Sequence, residues 1–192
     1  RNAEELLTAA LQQCEAFVAD ERHGERARLL RLRCTVDLAA LTSGPGTRER
    51  LDELALRALA WIGDGDVPPP LRHQRIRVRL LQAWSRFRSG DLAAVPPLLA
   101  MARADLEAHE AAVPGALTKE QATALELAAG LAQRRGETAE AEQAARERIQ
   151  VLAASPTADS TLLASARVTL ASMLRERGAT VEARALVDAA IP

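Results

Sequence analysis

Three histidines, two cysteines and a few closely spaced carboxylates are the groups through which this chain could do chemistry. Their spacing assembles no reaction centre. His23, His73 and His109 are scattered, and no second His or Cys stands at metal-ligand spacing from any of them. Cys14 and Cys34 lie twenty positions apart without a CxxC motif. They read as two buried thiols, with a disulfide between neighbouring helices as the alternative. Asp64 and Asp66 alternate as at the start of a calcium loop, but the following glycine and the closing glutamate are missing. Residues 63–70, GDGDVPPP, read better as a proline-stiffened connector. Glu4 with Glu5, and Glu140 with Glu142, are expected on polar helix surface, with no apolar pocket to raise a carboxyl pKa. No Gly-rich phosphate loop is present. The expectation is a protein that is not an enzyme and that carries no cofactor or metal.

The densest charge is a run of arginines: Arg72, Arg75, Arg77, Arg79, Arg86 and Arg88, with His73 and no acid between Val67 and Gly90. On a helix, Arg72, Arg75, Arg79 and Arg86 share one face. Such a stripe could meet nucleic acid. It could equally pair with acids of a neighbouring helix, for which Glu49, Asp52 and Glu53 are candidates. The whole chain favours pairing: 25 basic residues meet 26 acidic ones, and no lysine or stacking aromatic supports the stripe. Direct nucleic-acid binding is not expected.

The elements that must position these residues follow from composition. Hydrophobic residues make up 48% of the 192, but aromatics only 2%, and Ala, Leu and Val dominate. Small and unbranched side chains suit closely packed helices and serve sheets poorly. An all-α protein is expected. No run of 18 apolar residues occurs, so no membrane span is expected, and no signal peptide is visible. A cytoplasmic location and a reducing compartment follow. Lys119 is the lone lysine, which fits a GC-rich genome. The first residue is Arg1 rather than Met, so the chain reads as a fragment of a larger protein.

Apolar spacing of three and four predicts about nine helices. The first covers 3–19 and the second 25–42. A third, capped by Thr47, runs to 62. The fourth, 71–88, is apolar along Ile76, Leu80, Trp84 and Phe87 and again along Leu71, Val78 and Leu81, which predicts a helix wedged between neighbours. Pro96 and Pro97 predict a short turn before a fifth helix at 95–110. Thr118 and Gln121 form a capping-box pattern opening a sixth at 118–135. The seventh spans 137–153. Ser155–Pro156 predicts the N-terminus of the eighth, which runs to 177, and 180–190 forms the ninth.

Turn glycines Gly46, Gly90, Gly136 and Gly178 are spaced by 44, 46 and 42 residues. Seven positions before each stands an alanine: Ala39, Ala83, Ala129 and Ala171. Ala141 and Ala183 follow the last two glycines by five. A methyl two turns before the reversal lets the returning helix approach, and glycine permits the left-handed backbone that reverses the chain. The best copies are Leu125–Ala129–Gly136–Ala141 and Ala171–Gly178–Ala183–Ala190, with weaker ones at Ala83–Gly90–Asp91 and Ala39–Gly46.

In these residues the chain resembles the tetratricopeptide repeat family, from about residue 25 onward. Its units are eight to twelve residues longer than the standard repeat of about 34, and Ala, Leu and Arg replace the family's large aromatics. The resemblance implies an antiparallel helix-hairpin solenoid, a TPR-like superhelix. It would be one helical-repeat domain over 1–192, with a leading helix and hairpins at about 25–62, 71–110, 118–153 and 156–190. It further implies a concave face lined by the first helix of each pair, where Arg33, Asp37, Arg77, Trp84, Arg88, Glu126, Gln133, Arg134 and Arg175 would project. The partner implied is a protein or peptide. Lys and Asn, which in some members grip a peptide C-terminus, are absent from the corresponding places. The Ala- and Arg-rich character also looks like the helical arm of large bacterial transcription regulators. Two other readings stand beside this one. A small molecule or signal peptide could lie inside the superhelix near Trp84 and Phe87. The chain could also form a homo-oligomer through an outward face of the ninth helix, Val181, Leu186, Val187 and Ile191.

Overall fold

A computed structural model describes residues 2–17, 24–41, 48–156 and 159–190. These residues hold nine α-helices and no strand: α1 Ala3–Phe17, α2 Gly24–Leu41, α3 Arg48–Ile62, α4 Pro69–Arg88, α5 Val95–Ala112, α6 Thr118–Arg135, α7 Thr138–Ala154, α8 Ser160–Glu176 and α9 Thr180–Asp188. The chain divides into two compact units, Arg1–Ala112 and Val113–Pro192. Within each, helices pack mainly against their neighbours in chain order, and α2 also meets α4. No described helix is long and apolar enough to cross a membrane.

Three of the reversals are built alike. At Gly136, φ is +74°, its N–H donates to Gln133 O at 3.1 Å, and the Glu137 N–H reaches back to Ala132 O at 2.9 Å. Gly178 repeats this with Arg175 O and Leu174 O, and Gly90 with Phe87 O and Arg86 O. This paired closure satisfies carbonyls that a helix end leaves orphaned, and it requires a left-handed residue after the last helical one. Gly46 and the cap expected at Thr47 lie outside the described residues. So does the end expected for α1 at 18–19.

The alanines before and after these turns are buried: Ala39, Ala83, Ala129 and Ala171 before, Ala141 and Ala183 after. In the second unit, Ala129, Ala132, Ala141 and Ala145 share one core with Leu170, Met173 and Leu174 of α8. In the first unit, Leu32 and Val36 of α2 meet Ala55, Ala58 and Ile62 of α3 and Val78 of α4. Methyl groups on one side and leucines on the other let helices pack closely while still removing apolar area, worth about 1.5–3 kcal/mol for each fully buried leucine. Helix α4 is enclosed on several sides, with Ile76, Val78, Leu80, Ala83, Arg72 and Arg75 all buried. Cys14 and Cys34 are free, buried thiols. Burial pushes the Cys34 thiol up, helped by nearby Cys14 and Asp37.

The expected starts of α8 and α4 and the expected cap of α6 are corrected. Ser155–Pro156 does not open α8. A residue before proline is pushed to extended backbone, and Ser155 (φ −89°, ψ 122°) closes α7 instead. Asp159 caps α8, accepting from the Thr161 N–H at 2.8 Å. At α6 the capping box does not form. Thr118 is already the first helical residue, Leu117 holds the cap position, and the Thr118 hydroxyl donates to Gly115 O at 3.4 Å. Helix α4 starts at Pro69 rather than 71, because proline is tolerated in a first turn where no N–H partner is needed.

Candidate functional site

The arginine stripe of α4 is an internal fastening. Asp105 of α5, itself buried, accepts two bonds from Arg75, at 2.9 Å and 2.6 Å, and one from Arg79 at 2.5 Å. A planar guanidinium matches a carboxylate in this bidentate way, which is why arginine fills the position. Burial lowers the Arg79 guanidinium from its ordinary range, while Asp105 raises it. Arg72 donates to Ala108 O and to Asp66. Arg86 pairs with Asp52 at 2.7 Å and lies 3.5 Å from Asp91. Burial pushes the Asp52 carboxyl up, against the pull of Arg48. Of the acids proposed for this stripe, Asp52 is a partner; Glu53 instead lies 3.9 Å from Arg57 on its own helix. Asp66 and Asp91 flank α4 in the chain, whereas Asp105 lies on α5, which only the fold brings against Arg75 and Arg79.

The same arginines hold the connector 63–68. Arg75 Nη1 donates to the carbonyls of Gly63 and Gly65, at 3.0 Å and 2.9 Å, and Arg72 holds Asp66 at 2.6 Å. Asp66 is thus engaged by a guanidinium rather than arranged with Asp64 as paired ligands. Fixed in this way, Pro68 and the start of α4 form one wall of a cleft of about 860 Å³. Arg28, Leu29, Arg31 and Leu32 of α2 and Ala60 and Trp61 of α3 line the rest of it. Trp61 is 41% exposed, and the Arg31 guanidinium lies 4.0 Å from its ring centre. A cation over an indole face is favourable by about 0.5–1 kcal/mol where solvent reaches it. The cleft therefore offers apolar walls, a half-exposed indole and two cations, and no acid lines it among the described residues.

The residues expected on a concave face are placed less openly. Asp37 and Arg77 join each other at 2.6 Å across α2 and α4, and Arg77 also donates to Gln74. Trp84 and Phe87, expected near a ligand, stack edge-to-face with ring centres 5.5 Å apart and are half-buried. Glu126 accepts Arg148 of α7 at 2.8 Å. Arg33, Arg88, Gln133, Arg134 and Arg175 are exposed. The cleft lies on another face of α2: Arg28 is nine positions from Asp37, two and a half turns away. Trp61 carried one usable sequence signal, as a lone tryptophan at the end of a helix beside the Pro-rich connector. On α9, Leu186 packs against the core and is not outward, whereas Val181 and Val187 are exposed. Ile191 lies outside the described residues. No known protein-family model and no curated protein sequence matches this chain.

Proposed function

We propose that this chain is a protein–protein or peptide interaction scaffold, a TPR-like array of helical hairpins without catalytic function. Supporting the array reading are the three equivalent glycine turns, the buried alanines beside them and the contact between the successive first helices α2 and α4. The observation that carries the binding reading is the cleft at Trp61, where a half-exposed indole stands under a guanidinium between apolar walls. Tryptophan and arginine are the side chains most often found to dominate binding energy. With Arg28 and Arg31 as its charges, the cleft suits a partner segment that places an apolar side chain next to a carboxylate. Selection of a random twelve-residue peptide library on the immobilised protein tests this. Acidic–apolar sequences should enrich, and Trp61→Ala should weaken them by about 30-fold, the loss expected of an interface hot spot. Failure to enrich, or peptides that bind Trp61→Ala unchanged, would rule the reading out.

A further inference from the structure

The two cysteines meet on one helix seam. Leu7 and Leu11 of α1 pack against Leu38 and Ala39 of α2 and Leu54 of α3. One turn further along α1 stands Cys14, three positions after Leu11. One turn back along α2 stands Cys34, four positions before Leu38. Residues three and four apart share a helix face. The two helices lie side by side, with the earlier part of α1 beside the later part of α2. The antiparallel seam that begins with the leucines therefore continues to the two cysteines. Both are buried, at 4% and 6% exposure, and both are free thiols. Burial pushes the Cys34 thiol up, and Cys14 is close enough to add to that push.

The chain holds two cysteines in all, and both fall on this seam. Elsewhere in the core, alanine serves the close helix contacts, as at Ala83, Ala129 and Ala171. Cysteine packs as a similarly small side chain, and a facing pair adds one capability, the closing of a bond. A disulfide needs Cβ atoms about 3.5–4.5 Å apart, a separation that small residues reach across closely packed helices. We propose that Cys14 and Cys34 are an oxidation site, a dithiol that hydrogen peroxide converts to a disulfide fastening α1 to α2. One thiolate attacks the peroxide and the O–O bond breaks, giving a sulfenic acid and hydroxide, which the proton released by that thiol turns to water. The second thiolate attacks the sulfenic sulfur and the S–O bond breaks; the departing hydroxide takes the second thiol's proton. Two thiols are oxidised and one peroxide is reduced to two waters. Peroxide is small and uncharged, which suits it to a buried pair. Because only the thiolate attacks, the raised Cys34 thiol makes the pair slow, responsive to sustained rather than brief oxidation. The site does not depend on binding at the Trp61 cleft, so either can fail alone.

The test incubates the whole folded chain with excess hydrogen peroxide, then counts free thiols in guanidinium and reads intact mass and non-reducing electrophoresis. Both thiols should disappear in a monomer lighter by two hydrogens. Closing the loop between positions 14 and 34 should raise the melting temperature by about 10 °C, and dithiothreitol should reverse the rise. Cys34→Ser should show no such rise. An equal rise in that variant would assign the effect to another oxidised side chain, such as the exposed Met101, and would overturn the proposal. So would thiols that stay free in the folded chain, a bond that joins two chains, or a bond that leaves the melting temperature unchanged or lowers it.

Discussion

Replacing Asp105 by leucine tests whether the α4 arginines fasten the first unit. Asp105 holds Arg75 through two bonds and Arg79 through one, and the side chains of Asp105 and Arg75 are 8% and 6% exposed. Removing one partner of such a pair leaves an uncompensated buried charge, at a cost of about 3–5 kcal/mol. Arg79, at 13% exposure, can turn toward water and keep its bond to Met101 O, so the loss falls mainly on Arg75. The lower end of that range, about 3 kcal/mol, is therefore expected for Asp105→Leu. In a unit of about a hundred residues this lowers the melting temperature by roughly 12 °C or more, measured by circular dichroism. Trp61 emission should shift in the native baseline, because Arg75 also holds the connector that walls the cleft. The triple variant Asp105→Leu, Arg75→Met, Arg79→Met should regain most of the lost stability, since matched apolar groups replace a buried ionic cluster at little cost. A loss under about 1 kcal/mol for the single variant, or a triple variant no more stable than the single one, would refute the reasoning.

Gly136→Ala should destabilise by about 1–2 kcal/mol in chemical denaturation, the cost of a left-handed conformation for a residue with a Cβ. The added methyl meets nothing within 4 Å, so a substantially larger loss would point to packing rather than backbone. The Thr161 N–H, donating to the Asp159 carboxylate, holds it below its ordinary value of 3.8. Because the folded pKa lies below the unfolded one, the stabilisation is present above pH 3.8 and is lost as pH falls through the folded value. Asp159→Asn keeps the cap without the titration, so its acid unfolding should lack that component; an identical acid profile would contradict the assignment.

Much of the architecture was legible along the chain because it depends on local rules. A glycine is needed wherever the backbone turns left-handed, and Gly90, Gly136 and Gly178 marked the reversals for that reason. Alanines two turns before each glycine marked where helices approach, and all four are buried. The helix starts that failed turned on local competition: Pro156 forced Ser155 to end a helix, and Asp159 offered a better cap. The candidate sites were less legible. Charge balance favoured pairing of the α4 arginines and pointed to Asp52, but Asp105 was not legible, because it lies 30 positions from Arg75 on another helix.

The sequence by itself determined an all-helical chain, its reversals and the small residues at its helix contacts, since each follows from the conformational limits of a few neighbouring residues. Only the tertiary structure decided which charges were already neutralised. It consumed Asp37 and Arg77 in one ion pair, turned the α4 arginines inward to hold a loop, and left Trp61 under Arg31 in the lining of a cleft. Side-chain pairing over thirty or forty residues is a property of packed helices, and helical periodicity alone gives no measure of that distance.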